Sequence, residues 1–299
     1  MICIVAHDAG GAEILSSYVR GQNRQFIYVL AGPAQQIFER KLGPVCSKTL
    51  GNAIDQCEWL LCGTSWQSDL EWQAIALARS MAKRSVAFLD HWVNYLERFV
   101  RNGERRLPDE IWVGDSLAQT MACEIFPEIN VRLMGNPYFD ELKCELAKIP
   151  HTRKGNDGGL NVLYVCEPIS EHAKRQHGNG RHWGYTEQEA LRYFLSNLNI
   201  LKMSVNRILI RPHPSEAPNK YDWAKEQFRL PINYGGAKTL LEEVASCDLV
   251  VGCSSMALVV GLLAGKRVIS CIPPGGSVCG LPQTEIESFQ SLLASGINI

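Results

Sequence analysis

The sequence lacks any apolar stretch close to the ~20 residues that a membrane-spanning helix needs, and the apolar segment Met1–Ala6 has no basic leader of the kind that precedes a signal peptide core. It also lacks long runs of one charge. With 30 Lys and Arg against 31 Asp and Glu, it offers no basic surface for nucleic acid. We therefore expect a cytoplasmic protein that binds small molecules and no nucleic acid; peripheral association with a membrane is compatible with these features.

Paired cysteines are also lacking. The 11 cysteines are scattered along the chain, and their number is odd. No C-x-x-C pair or usual zinc-ligand spacing occurs, which indicates reduced, buried thiols and not a disulfide framework or zinc site. Because no D-x-D acidic pair accompanies the motifs described below, we expect neither a required metal ion nor another cofactor.

What is present is an alternation of short apolar runs with longer amphipathic segments, which is typical of parallel βα units. At 299 residues and 46% apolar content, the chain can form one or two domains. Strands are predicted over residues 3–6, 26–30, 59–62, 86–89, 111–113, 132–134, 162–166, 207–210, 231–233, 249–251 and 267–271. Helices are predicted over residues 12–20, 34–42, 70–83, 116–126, 187–198, 220–228, 239–246 and 257–264.

A segment rich in Pro, Lys, Asn, Asp and Gly, residues 148–159, interrupts this alternation and resembles an interdomain linker. The fold class predicted is α/β, with two Rossmann-like domains facing across a cleft. Their predicted bounds are 1–148 and 160–299.

One loop follows a predicted strand and reads Arg211-Pro-His-Pro214. Its two prolines fix the backbone on either side of His213, so the imidazole is held in one direction. A rigid histidine beside Arg211 suits a phosphate group. Alternatively, the prolines only end the strand and His213 caps a backbone carbonyl.

A second loop, Gly252-Cys-Ser-Ser-Met256, lies between a predicted strand and a helix. Backbone N–H groups and the helix dipole favour an anion there. We expect Gly252, Ser254, Ser255 and Met256 to contact a nucleotide phosphate, although Ser254 or Ser255 could instead serve only as the helix N-cap.

The first strand ends in His7-Asp-Ala-Gly-Gly-Ala12, whose glycines permit close approach of a ligand while Asp8 projects from the loop. The loop lacks the full G-x-G-x-x-G spacing, which disfavours a dinucleotide site. We predict a catalytic role for Asp8 and acceptor contacts for His7, Ala9 and Gly10. The alternative is that Asp8 only caps the first helix.

A second acid, Asp90, emerges from another predicted strand beside His91, Trp92 and Asn94. Mixed polar and aromatic groups suit a sugar, so His91 and Asn94 are predicted acceptor contacts. Asp90 is the second candidate for a catalytic carboxylate, after Asp8. Trp92 could equally be core packing.

Two further segments carry weaker signals. Gly135-Asn-Pro-Tyr138 is predicted to shape a hinge. The segment from Glu167 to His182 either flanks the ligand site or forms a solvated loop.

These motifs together resemble the GT-B glycosyltransferase superfamily, most specifically over residues 208–271. A His-Pro motif followed by a Ser-Ser motif is similar to bacterial sialyltransferases, polysialyltransferases, capsule Kdo-transferases and CDP-glycerol transferases. The resemblance implies that His213 and Ser254 or Ser255 bind the donor phosphate, and that a carboxylate of the N-terminal domain is the base. Leu258-Val-Val-Gly261 stands where many UDP-sugar enzymes of this fold have a ribose-binding Glu, which favours a cytidine nucleotide. The sequence has no clear match to the acid-acid-glycine motif of sialyltransferases.

The leading hypothesis is an inverting, metal-independent glycosyltransferase of surface polysaccharide or glycoconjugate synthesis. It would use a nucleotide-activated sugar, with a CMP-sugar favoured, and a glycan or lipid-linked acceptor. The alternatives are a nucleotide-sugar hydrolase or 2-epimerase, a CDP-glycerol-type polyol-phosphate transferase, and a non-catalytic sugar-nucleotide binding protein.

Overall fold

A computed structural model describes residues 1–65, 68–150 and 158–296. The chain divides into two compact units, Met1–Glu141 and Leu142–Ile299. Most of the predicted linker, residues 151–157, lies outside the described residues. No helix in the described part is both long and apolar enough to cross a membrane.

The first unit is built on a parallel sheet. Its helices are α1 (Ala9–Arg20), α2 (Pro33–Leu42), α3 (Leu50–Gln56), α4 (Leu70–Ser80), α5 (Ser116–Ile125) and the first part of α6 (Pro137–Lys148). Its strands are β1 (Ile2–Ala6), β2 (Phe26–Leu30), β3 (Trp59–Cys62), β4 (Arg84–Leu89), the short antiparallel pair β5 (Val100–Arg101) and β6 (Glu104–Arg105), β7 (Glu110–Val113) and β8 (Asn130–Leu133). The sheet order is β2-β1-β3-β4-β7-β8. Loops after β1, β3 and β4 therefore meet at one edge of the sheet.

The second unit repeats this architecture. Its helices are α7 (Ile169–His177), α8 (Glu187–Ser196), α9 (Trp223–Gln227), α10 (Leu240–Ala245), α11 (Met256–Leu263) and α12 (Phe289–Gly296). Its strands are β9 (Leu160–Val165), β10 (Val205–Arg211), β11 (Ile232–Tyr234), β12 (Leu249–Gly252), β13 (Arg267–Ser270) and β14 (Ile286–Ser288). The order β11-β10-β9-β12-β13-β14, parallel throughout, places β9 between β10 and β12. The predicted His-Pro and Ser-Ser loops therefore flank the loop that follows β9.

The central strands form where the sequence is continuously apolar, because both faces of each sheet are covered. All five residues of β1 and all four of β12 are buried. The predicted α/β class with two parallel-sheet domains is confirmed. The additional elements are α3, α6, α7, α12, β14, the β5–β6 pair and two short 3-10 helices, Glu97–Phe99 and Leu198–Leu201. Among these, α6 was missed because its Gly-Asn-Pro start resembles a turn, and only Leu142 of its residues is buried.

The cysteines are all free. Seven are buried, as expected for small apolar residues, and Cys279 is partly buried. The expectation of buried thiols is wrong for Cys46, Cys123 and Cys144, which are exposed.

Candidate functional site

A pocket of about 270 Å³ in the second unit brings the two predicted phosphate-binding loops together. Among the predicted nucleotide-binding residues, Arg211, His213, Ser255 and Met256 line it, whereas Gly252 and Ser254 do not. Its other walls are mostly apolar, including Leu240. Ligand pockets commonly have about 300–1,000 Å³ and an apolar lining with a few polar groups, so this one suits part of a nucleotide.

His213 is exposed, and neighbouring residues fix its ring. The backbone N–H of Ser215 donates to Nδ1 at 3.2 Å, and the Ser215 hydroxyl lies 2.8 Å from the same nitrogen. Because Nδ1 accepts, the neutral ring carries its proton on Nε2, which is then the nitrogen able to donate to an anion. The Ser215 contacts therefore leave Nε2 as the donor of the neutral His213 ring, and its contact with a phosphate stays a prediction.

Glu216 anchors this loop from behind. Its side chain is 0% exposed and accepts hydrogen bonds from the His213 backbone N–H at 2.8 Å and the Tyr221 hydroxyl at 2.7 Å. Lys220 pairs with the same carboxylate at 2.7 Å and also with Glu187. The position of the His-Pro loop is thus fixed by a charged network that no local motif revealed.

Arg211 has protein contacts that the sequence did not indicate. Its guanidinium donates to Glu243 Oε2 at 2.6 Å and to the Lys238 carbonyl at 3.0 Å. Glu243 is 3% exposed, so this cation neutralises a buried carboxylate. Contact of Arg211 with a phosphate stays a prediction.

The turn after β12 holds a carboxylate of the protein itself. Glu167 Oε1 accepts the backbone N–H of Cys253 at 2.9 Å and of Ser254 at 2.8 Å. Loss of hydration raises the pKa of Glu167 to about 7, against the lowering effect of these N–H groups. The backbone N–H groups of this turn therefore bind a carboxylate of the protein, Glu167. Contact of the turn with a ligand phosphate stays a prediction.

The two serines of this turn differ in their contacts. Ser255 is the N-cap of α11, and its hydroxyl accepts the Ala257 N–H at 3.2 Å. The Ser254 hydroxyl accepts the Gly280 N–H at 3.0 Å. At Gly252, an added Cβ would lie 2.7 Å from a Val165 methyl group, so close packing requires glycine there. Capping is thus observed for Ser255, and it is compatible with ligand contact.

In the first unit, His7 and Asp8 form a pair at the end of β1. Asp8 occupies the N-cap position of α1, but its carboxylate makes no capping hydrogen bond and lies 2.7 Å from His7 Nδ1. Both side chains are partly exposed. The carboxylate can therefore orient the imidazole, and a catalytic role for Asp8 stays a prediction.

Glu71 lies directly behind this pair. It is 3% exposed, and its Oε1 accepts the His7 backbone N–H at 2.7 Å. Burial raises the pKa of Glu71 to about 7, and no hydrogen-bond partner of its Oε2 lies among the residues that the structure describes. Glu71 is therefore a proton-binding group next to the predicted catalytic loop.

Asp90 is held in a buried ion pair. Its Oδ1 lies 2.6 Å from Arg98 Nη1, which also donates to the carbonyl and hydroxyl oxygens of Thr64. A Cβ added at Gly10 would come within 2.0 Å of Asp90 Oδ2, so the two predicted acidic loops are in contact. The Arg98 charge offsets that of Asp90, which makes Asp8 the less constrained of the two candidate bases.

The other predicted acceptor residues follow β4. His91 Nδ1 accepts the Trp92 backbone N–H at 3.0 Å, and burial lowers the pKa of His91. Trp92 is 4% exposed, and its indole N–H donates to Asp115, the N-cap of α5. Trp92 is therefore core packing, whereas Asn94 is exposed with a φ of 57° in a turn.

Two weaker sequence signals have structural explanations. Asn136 accepts the N–H groups of Tyr138 and Phe139 and so begins α6. His177 ends α7, and its ring stacks on that of His182 with centroids 3.6 Å apart. Both histidines are exposed.

Glu71 and Glu167 are the groups that sequence reasoning undervalued. Glu71 shares a helical face with the buried Ala74, Ile75 and Ala78, and an acid on such an apolar face is a signal in itself. Glu167 follows the buried strand β9 closely, just as Asp90 follows β4, and an acid at the end of a buried strand is the signal that could have identified it. Within residues 1–65, 68–150 and 158–296, no three His, Cys, Asp or Glu side chains are grouped to hold a metal ion.

Comparisons with known proteins define the class of fold. No family model matches the chain, and no curated protein matches it in sequence. Among solved structures, the chain is similar to UDP-GlcNAc 2-epimerase from Methanocaldococcus jannaschii, with TM-score 0.60, 11% identity, and coverage of 100% of this chain and 92% of that one. For the UDP-GlcNAc 2-epimerase from Neisseria meningitidis, bound to UDP-GlcNAc, the TM-score is 0.59 and the identity 11%, with coverage of 90% of this chain and 81% of that one. For MurG from Acinetobacter baumannii, the TM-score is 0.52 and the identity 9%, with coverage of 91% of this chain and 79% of that one.

At 9–11% identity these similarities show the fold alone. That fold is GT-B, the class predicted from the sequence. The sialyltransferase-like group that the motifs resemble stays a prediction.

Proposed function

We propose that the protein is an inverting, metal-independent glycosyltransferase that uses a nucleotide-activated sugar, with a CMP-sugar favoured. The observation that carries this proposal is the pocket in which the His-Pro loop meets the N-terminus of α11. His213 Nε2 and the first turn of α11 would stabilise the negative charge that develops on the departing phosphate. Part of the nucleotide would contact the apolar wall.

The first unit would supply the base. Asp8, paired with His7, would accept the proton of the acceptor hydroxyl as the sugar is transferred. The acceptor would be a glycan or lipid-linked glycan, contacted by the loops that carry Gly10, His91 and Asn94. A carboxylate paired with an imidazole suits this role because both groups commonly act as general bases in proteins.

A calorimetric screen of CMP, CDP, UDP and GDP tests the donor site. We expect at least one of them to bind, and His213→Ala to weaken that binding by about 10- to 150-fold, the loss of ~1.5–3 kcal/mol for a charge-assisted hydrogen bond. His172→Ala is the matched control, because its ring lies 6.5 Å from that of His213 and does not line the pocket. Equal affinity in the wild type and a folded His213→Ala variant would contradict the assignment.

The second candidate is a nucleotide-sugar 2-epimerase or hydrolase, which the similarity to the two epimerase structures favours. Incubating donor with and without an acceptor mixture distinguishes the functions. A transferase consumes donor only when acceptor is present, whereas a hydrolase or epimerase converts it alone. If the donor binds but is not converted under either condition, the non-catalytic alternative gains support.

A further inference from the structure

Glu167 is the feature of the second unit that the proposed mechanism leaves unused. Its Oε1 accepts the backbone N–H groups of Cys253 and Ser254, and the N–H of Ser255 also favours its charged form. No ion pair joins Glu167 to a cation among the residues that the structure describes. The carboxylate is thus held by the turn itself, at the start of the helix whose next residues, Ser255 and Met256, line the pocket.

A phosphate bound at this helix start would lie beside that carboxylate. Both groups accept hydrogen bonds from the N–H groups of the same turn, and two negative charges at this distance repel each other. Protonation of the carboxyl group removes one of the two charges and frees N–H groups for the phosphate. Binding of the anion and uptake of a proton are then linked.

We propose that a donor phosphate competes with Glu167 for the N–H groups of this turn, and that Glu167 takes up one proton when the donor binds. This inference rests on the proposed function, because it requires a phosphate-bearing ligand in the pocket. It makes Glu167 a positioning residue, which sets the affinity for donor according to pH.

The groups around Glu167 leave it as the main titrating site. Glu216, from the loop after β10, disfavours its ionisation but is paired with Lys220. The thiols of Cys166 and Cys253 and the hydroxyl of Tyr185 also interact with it; burial raises the pKa of all three, so they stay neutral. His213 lies on the pocket wall and also carries an ionisable ring, so it needs its own control.

The experiment is calorimetry of UDP-N-acetylglucosamine and CMP-N-acetylneuraminic acid at about pH 8, in buffers that differ in ionisation enthalpy. Neither ligand has a phosphate that titrates near neutral pH. For the wild type we expect uptake of roughly 0.5–1 proton per ligand bound, and an affinity that falls up to about tenfold per pH unit above about pH 7.5. Glu167→Gln keeps an acceptor oxygen but cannot titrate, so its affinity should not change over this range.

His213→Gln is the second variant, and it should still show proton uptake despite weaker binding. Binding to the wild type without proton uptake overturns the inference and leaves the proposed function intact. Uptake that persists in Glu167→Gln also overturns it. If neither ligand nor any of the four nucleotides binds, the proposed function and this inference both fail. If Glu167→Gln does not fold, the wild type and His213→Gln decide together: proton uptake present in the wild type but lost in His213→Gln overturns the inference.

Discussion

Arg98→Met should strongly destabilise the first unit. Arg98 and Asp90 have side chains only 6% and 11% exposed, with Nη1 2.6 Å from Oδ1. The same Nη1 donates to the Thr64 carbonyl at 2.7 Å and hydroxyl at 2.8 Å. Removing one partner of a buried pair leaves the other charge uncompensated and costs about 3–5 kcal/mol. That is a large part of the ~5–15 kcal/mol that stabilises a typical protein.

The assay is urea unfolding followed by tryptophan fluorescence. Arg105→Met is the matched control, because Arg105 and Glu128 form a pair with side chains 40% and 46% exposed, and such pairs contribute about 1 kcal/mol or less. In Arg98→Met/Asp90→Asn, removal of both charges should restore part of the loss. If Arg98→Met loses no more stability than Arg105→Met, the Asp90–Arg98 pair is not the buried, energetically important contact described here.

Three further predictions concern the sites. Ser255→Ala should lose ~1 kcal/mol of stability as the N-cap of α11 is removed, whereas Ser254→Ala should not lose a cap; equal melting curves would argue against capping. Asp8→Asn should keep nucleotide affinity and lower turnover by ~10²-fold or more. Asp90→Asn is the comparison, and because it leaves the buried Arg98 without its partner, its turnover is measured on protein that unfolding curves show to be folded; a loss confined to that folded variant would make Asp90 the base. Because the pKa of Glu71 is raised to about 7, the folded state keeps a proton that the unfolded state releases near pH 4.5. The free energy of unfolding should therefore fall as the pH rises from 4.5 to about 7. Glu71→Gln should remove that pH dependence and raise the free energy of unfolding by on the order of 2–3 kcal/mol at about pH 8. Unfolding curves at several pH values measure both effects, and an unchanged profile would contradict the raised pKa.

The central sheet strands could be predicted because each is a short apolar run, whereas β14 and the β5–β6 pair are short, contain charged residues and were missed. The His-Pro and Ser-Ser loops could be placed near each other because parallel strands end at one edge. The partners of the charged groups could not be predicted. Glu167 contacts residues 86 and 87 positions away, and Arg211 pairs with Glu243 across 32 positions. Such contacts depend on the packed fold, and no local spacing encodes them.

Gly11 in the first turn of α1 and Gly63 after β3 allow the helix to approach the sheet closely. A Cβ at Gly11 would lie 3.3 Å from the Cα of Gly63, and one at Gly63 would lie 3.4 Å from the Cα of Gly11. Backbone therefore meets backbone here, and a larger residue has no flexible neighbour to displace. Substitutions at Gly11 or Gly63 would widen the gap between α1 and β3. These positions therefore offer protein engineers a means to change the space beside Asp8 without altering a polar group.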